Sequence, residues 1–527
     1  MVLLALAVLG CVDPPEETPP PEGTPPVVGQ DAGKAQGKAP GKAPGKAPGK
    51  APGAGQGGPG QQGGFHATPD FSLVGTADEA PRDLLLISLD TVRADRLGVY
   101  GGRAETPNLS EFSAQGARFD QAISHFPETA LSHWAMMSGV LPEVHGNVPA
   151  HGGSLYPGPT LAELASKHGY QTAAVIGGIT MTDSVSGMSR GFDVYDDDFA
   201  VDPNDMRRHG DEVTTEALAW WAQAESPRFL FVHYFDAHFP YTPAPPWDTR
   251  YDAVYAGNLT GTDADLGPVR DGEVEISARD LAHVIALYDG ELSELDAMIA
   301  PLLAATAGTE TVVAITSDHG ESFEHDYLFN HRGGLWDGIT RVPLLVRGPG
   351  ATPGTVVAQQ VGLTDVTPTL LELVGLPADT RMQGRSRVPL MHGEGEGQDV
   401  VFSVTDPWAD APQFAARTVE AKVIEQGDET LSYRLADDPK EDDASAPVAA
   451  ALDGARARYD AQIATLAEAR VEPTSDRSLS PDEAAQLEAL GYVVPEGTTS
   501  AQDAPVEEGK AGKPKGLPPG STPPKRH

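Results

Sequence analysis

Three residues stand where short apolar runs stop. Leu84–Leu89 (LLLISL) is followed at once by Asp90, and Val312–Ile315 leads through Thr316 and Ser317 into Asp318, His319, Gly320 and Glu321. Two carboxylates and an imidazole on one sheet edge offer oxygen and nitrogen donors to one divalent cation, Mn²⁺, Ca²⁺, Mg²⁺ or Zn²⁺. A single Asp after a strand is ordinarily a helix N-cap. Three such groups sharing an edge weigh toward a metal. The chain of 527 residues holds one cysteine, Cys11. That excludes an intramolecular disulfide framework, thiolate zinc sites and iron–sulfur clusters.

These donors meet only if the runs before them are strands of one sheet. Leu84–Leu89, Ala173–Gly178, Phe229–Phe235, Val312–Ile315 and Val342–Val346 are short, continuous and apolar, as strands buried on both faces are. Helical patterns lie between them at Pro107–Ala117, Leu161–Lys167, Val213–Ala224, Leu281–Ala305 and Thr364–Val374. This alternation predicts an α/β fold with a mostly parallel central sheet flanked by helices. Its site should lie beyond the carboxyl ends of the strands. From about residue 400 the pattern changes to shorter strands, Val400–Val404, Phe414–Ile424 and Thr430–Leu435. Helical stretches follow at Ala449–Ala469 and Asp482–Leu490. Residues 81–395 therefore read as the main domain and 396–495 as a smaller α+β subdomain.

The ends of the chain differ from this body. Gly 58 and Pro 47 are in excess, and the excess gathers in residues 12–80, with their Gly-Lys-Ala-Pro repeat, and in residues 496–527. Both read as disordered, a linker and a tail. Val2–Gly10 is apolar but far short of the about 20 residues that span a bilayer, and it reads as a signal peptide over residues 1–11. Val8-Leu9-Gly10-Cys11 resembles a bacterial lipobox, which implies lipid attachment at Cys11 and an exported protein anchored in the cell envelope, although no Lys or Arg precedes the apolar run. The net charge of −39 makes nucleic acid and anionic lipid surfaces poor partners.

The order of motifs resembles the sulfatase family of the alkaline phosphatase superfamily. Asp83–Gly146 contains LLISLDTVRADRLGVYGG, TPNLSEFSAQGARF and ETALSHWAMMSGVLPEVHG. His233–Tyr241 (HYFDAHFPY) is similar to the family's Asp-Pro-His-x-Pro-Tyr element. Ser317–Gly350 is similar to its second metal segment, Tyr433–Glu441 to its C-terminal strand and Leu487–Tyr492 to its tail. The resemblance implies Asp90, Asp318 and His319 as metal ligands. Thr91 stands where many members carry a second Asp. It also implies His238 and His331 near the reacting group, either able to protonate a departing oxygen. His133, His145 and Arg332 are weaker candidates for contact with the ester. His145-Gly146 also reads as a helix end, and His151 and His325 read as surface residues.

The departure at the nucleophile carries most information. Sulfatases of the best-known type oxidise Cys or Ser in C/S-x-P-x-R to formylglycine. The matching segment is Thr129-Ala130-Leu131-Ser132-His133, so formylglycine is not expected. A Thr alkoxide forms an ester that water must attack at the central atom, a familiar second step with phosphorus. Thr129 as nucleophile, beside a metal that lowers its hydroxyl pKa, favours phosphoester chemistry. Thr before a helical run is also a common N-cap. The sequence thus predicts a metal-dependent hydrolase of sulfate or phosphate esters, acting on a small molecule, a glycan or a lipid headgroup. The alternatives are a phospho-alcohol transferase resembling lipoteichoic-acid-type synthases, and a degenerate sulfatase fold kept for binding.

Overall fold

The computed structural model describes residues 73–74, 81–146, 156–200, 207–405, 412–444, 446–447, 449–464 and 479–489. Cys11, His151, the Gly-Lys-Ala-Pro repeat and residues 496–527 lie outside them, as do the readings made there. Among the described residues no helix is long and apolar enough to cross a membrane.

The strands run in chain order β1 (Leu73–Val74), β2 (Leu84–Leu89), β3 (Ala117–Ile123), β4 (Gln171–Ile176), β5 (Val194–Asp196), β6 (Arg228–Tyr234), β7 (Val312–Thr316), β8 (Arg341–Arg347), β9 (Thr355–Gly362), β10 (Ala378–Asp379), β11 (Val401–Val404), β12 (Gln413–Arg417), β13 (Ala421–Gln426) and β14 (Glu429–Arg434). Eight of them form the central sheet, in the order β5-β4-β6-β2-β7-β8-β3-β9. All its pairings are parallel except the two that β8 makes, with β7 and β3. β1, inside the stretch read as linker, pairs with β10.

β2 shows why its sequence is apolar without a break. Leu84 and Leu86 enter one core, and Leu85, Ile87 and Leu89 enter the core on the opposite face. Each such leucine, fully buried, contributes roughly 1.5–3 kcal/mol. The flanking helices cover these two faces. The longest, Ala278–Ala305, starts at Ser277, whose side chain accepts the Asp280 amide. Its Asp296 carboxylate in turn accepts the amides of Asn108 and Leu109 at the start of the Pro107–Ala114 helix.

Strand order and register aim the site. Ser88 on β2 lies opposite His233 on β6 and Thr316 on β7, so Asp90 and Asp318 both emerge at the carboxyl edge. Because β8 is antiparallel to its neighbour β7, the chain leaves and re-enters the sheet at that same edge. Everything between the two strands, residues 317–340, is therefore held over one spot.

The C-terminal subdomain is an antiparallel sheet, β11-β12-β13-β14. Tyr459 of the Ala455–Ala464 helix packs on Phe402 and Phe414. The single strand expected at Phe414–Ile424 is instead a hairpin, turned at Thr418, whose amide donates to Ala421. The helix expected over Ala449–Ala469 is interrupted at Gly454, which takes φ 66°. It becomes a 3-10 turn at Ala450–Leu452 and a helix at Ala455–Ala464. The helix expected to reach Ala117 ends at Ala114, and Ala117 opens β3.

Candidate active site

Asp90, Asp318 and His319 each offer one ligand atom, and these atoms lie within 4.8 Å of one another. All three residues are fully buried. Asp90 Oδ1 and Asp318 Oδ2 have no hydrogen-bond donor, which is what two carboxylates built to share a cation leave open. His319 Nδ1 is 3.0 Å from the Gly320 carbonyl. Donation there leaves the Nε2 lone pair for a metal. The donor set fits one divalent ion. Burial raises the Asp90 pKa well above its ordinary value and Asp318 raises it further. Burial also opposes charge on His319, yet Asp318 and Asp90 outweigh it and hold that imidazole above its usual range.

Several contacts fix this cluster. His233 Nε2 lies 3.0 Å from Asp90 Oδ2. The Ser317 hydroxyl donates to the His319 carbonyl and accepts from the Val92 amide. Thr91 takes φ 55°, a left-handed conformation that a β-branched residue rarely holds. Its amide donates to Asp318 Oδ1 at 3.3 Å and its hydroxyl to the Asp90 carbonyl at 2.8 Å. The Tyr288 hydroxyl, from the long helix, donates to the Thr91 carbonyl.

Thr129 is the first residue of a ten-residue helix, Thr129–Ser138, buried along its whole length and closed by Gly139 at φ 69°. Its Oγ1 stands 3.5 Å from His319 Nε2 and hydrogen-bonds with Asp90. The Ser132 hydroxyl, one turn on, donates to the Asp318 carbonyl. The nucleophile candidate and the ligand cluster are thereby fastened together.

The supporting residues divide. His331 stacks on His319, ring centroids 4.2 Å apart, and His238 meets His331 edge to face at 5.4 Å. His238 Nδ1 is taken by the Phe239 carbonyl, while its Nε2 and both nitrogens of His331 have no hydrogen-bond partner. Burial lowers His238 to about 3 and His331 well below the usual value. Both are therefore neutral imidazoles here, not standing acids. His133 sits at the edge of the cluster, but its nitrogens are occupied by the Thr129 carbonyl and the Ser88 hydroxyl. It orients the helix and does not reach for an ester. His145 ends the Pro142–His145 helix before Gly146, as a helix-end reading expects, and its Nε2 contacts the Leu131 carbonyl at 3.2 Å. Arg332 pairs with Glu128 at 3.5 Å. His325 stacks on Trp336.

Sequence reasoning missed three residues. His233 lies inside an apparently buried strand, and only the register places it against Asp90. Glu321 is fully buried, 3.6 Å from His331 Nδ1, and burial raises its pKa. Its signal was a charged residue two places after a metal-ligand candidate. Glu128 immediately precedes Thr129 and is 3% exposed.

The comparisons agree with this fold. The Sulfatase family model matches residues 82–376, and the model described as N-sulphoglucosamine sulphohydrolase, C-terminal, matches residues 324–446. Arylsulfatase K of Gallus gallus is 24% identical over 365 residues, 60% of this chain and 67% of that protein. The phosphonate monoester hydrolase of Agrobacterium radiobacter superposes with a TM-score of 0.58 at 20% identity, over 74% of this chain and 96% of that one. A protein solved with its substrate D-glucosamine-2-N,6-O-disulfate gives 0.58 at 16% identity, over 74% and 97%. These two structures share its fold. With a family model covering more than half its length, the chain belongs to the sulfatase family of ester hydrolases.

Proposed function

We propose that the protein is a metal-dependent hydrolase of sulfate or phosphate esters that uses Thr129 as its nucleophile and favours phosphoesters. The observation that carries this reading is Thr129 Oγ1 at 3.5 Å from His319 Nε2, at a helix start, beside two carboxylates with open oxygens. Asp90, Asp318 and His319 would hold one divalent cation. Such an ion, when bound, lowers a hydroxyl pKa and neutralises charge on the reacting group.

The chain's own residues supply the rest. The amides at the start of the Thr129–Ser138 helix favour an anionic ester there. The Thr129 oxygen gives up its proton to water and bonds to the central atom, the bond from that atom to the leaving oxygen breaks, and the departing alkoxide takes a proton from water to leave as the alcohol. Neutral His331 keeps one ring N–H that can donate to the ester or the departing oxygen, and His238, whose ring hydrogen is spent on the Phe239 carbonyl, offers Nε2 as an acceptor for the attacking water. Water then attacks the threonyl ester at phosphorus, which frees Thr129 and releases phosphate from a monoester or the remaining phosphate monoester from a diester, without the second hydroxyl that formylglycine provides. Lipid attachment at Cys11 and a place in the cell envelope belong to the same reading and are supported by sequence alone.

The test is an aryl phosphodiester with added Mn²⁺. Wild type is expected to turn it over, and Thr129→Ala to lose at least about 10³-fold in kcat. Equal activity in Thr129→Ala removes the nucleophile assignment. Faster turnover of the matched aryl sulfate removes the preference for phosphorus.

A further inference from the structure

We propose that His233 is a positioning residue of the cation site, which holds Asp90 to one open oxygen and so turns the site from Ca²⁺ toward a first-row divalent ion. This rests on the functional reading above, in which Asp90, Asp318 and His319 hold one cation, and it names the class of ion bound.

Strand pairing puts the ring in place. His233 on β6 lies opposite Ser88 on β2, and the Asp90 amide donates to the carbonyl of the next residue, Tyr234, at 2.9 Å. The His233 side chain is fully buried. Its ring meets that of His133 edge to face at 5.1 Å and lies 6.1 Å from that of Phe235. His133 is itself held at the Ser88 hydroxyl. One acceptor then stands before the ring hydrogen of His233. Nε2 lies 3.0 Å from Asp90 Oδ2, whereas Nδ1 has no partner. An ionised carboxylate can only accept, so Nε2 carries the hydrogen and Oδ2 is taken.

The other carboxylate is held in the same manner. Asp318 Oδ1 accepts the amides of Thr91 and His319, at 3.3 and 2.9 Å. Asp90 Oδ1 and Asp318 Oδ2 are left without a donor. Each carboxylate thus offers one oxygen, and His319 adds one nitrogen. Ca²⁺ takes about six to eight oxygen ligands and readily uses both oxygens of a carboxylate. Two single oxygens and an imidazole suit it poorly. A first-row ion such as Mn²⁺ or Zn²⁺ accepts the nitrogen and needs fewer ligands. Losing the Nε2 hydrogen frees Asp90 Oδ2 and offers a large ion both oxygens.

The experiment titrates apo protein, stripped with a chelator, with Mn²⁺ and with Ca²⁺ in a calorimeter. Wild type is expected to bind Mn²⁺ at least about tenfold more tightly than Ca²⁺. His233→Asn and His233→Gln both supply an amide, but only the longer side chain sets its nitrogen near the place of Nε2. His233→Asn is expected to weaken Mn²⁺ binding by about 10–100-fold and Ca²⁺ binding by less, so the preference shrinks. His233→Gln is expected to recover most of it. Loss of packing alone would lower both affinities together and would not separate the two amides. A wild type that prefers Ca²⁺ overturns the inference without any variant. So does a Mn²⁺ preference unmoved by His233→Asn, or one that falls equally in both variants. Uptake of neither ion by wild type fails the metal reading itself, while a bound ion with an unmoved preference fails only the role of His233.

Discussion

Glu291 shows how far this fold strains a single ionisable group. It lies in the long helix, 2% exposed, where burial pushes its pKa up to about 8 against the opposing pull of Arg207. An unfolded chain returns it to about 4.3. Between these values the folded state binds the extra proton, so stability falls as pH rises. Glu291→Gln keeps an oxygen for the Thr242 amide and removes the titration. Its melting temperature relative to wild type is expected to climb from pH 5 to pH 9, and calorimetry across that range reads it. At this scale the sequence showed Asp90, Asp318, His319 and Thr129, because each follows an apolar run or opens a patterned helix. It did not show His233, whose role depends on which residue of β2 it faces. Nor did it show that His133 turns inward, since Ser88 lies 45 residues away in the chain.

At the scale of elements, the C-terminal sheet holds the loop that carries His331 and Arg332. Gln413 Nε2 donates to the Gly333 carbonyl, and Leu335 enters an apolar socket of Ala415, Ile424, Tyr433 and Leu435. Asp337 receives both Arg417 and Lys422, which together hold its carboxyl well below the usual range against the effect of burial. Lys422 also reaches Glu441. Lys422 is 1% exposed. Lys422→Met should therefore cost about 3–5 kcal/mol by leaving Asp337 and Glu441 short of a buried partner. Urea denaturation measures that loss, and kcat should fall with it as the His331–Arg332 segment loosens. The sequence marked Tyr433–Glu441 as a familiar motif but gave no sign of what it grips. β3 and β9 escaped notice for a related reason. ARFDQAI and TVVAQQVG mix polar with apolar residues because β9 is an edge strand with Val356 52% exposed, so neither shows the unbroken run that betrayed β2 and β7.

The molecule as a whole presents a formal charge of −39 to substrates that are themselves anions. A field of one sign lowers the rate at which like-charged ligands arrive, and salt screens it with a Debye length of about 8 Å at physiological ionic strength. Raising salt from about 20 to 300 mM should therefore increase kcat/KM for an anionic aryl ester by roughly two- to fivefold while kcat changes little. Steady-state kinetics at fixed metal concentration checks this, and a fall with salt would mean that a local positive field guides the ester. Fold class was legible because strand and helix alternate over most of the chain. The antiparallel β8 was not, since VPLLV carries no mark of direction. Yet that strand returns the chain to the edge where the chemistry gathers.

Thr91 has a consequence for how this sequence can change. It keeps a β-branched side chain in a left-handed backbone where Gly, Asn or Asp would sit more easily. Selection for heat resistance alone should move this position early, and toward those residues. A lineage that retains threonine under such selection is keeping the hydroxyl bonded to the Asp90 carbonyl, and the alignment of Asp90 with Asp318 is then what heredity protects there.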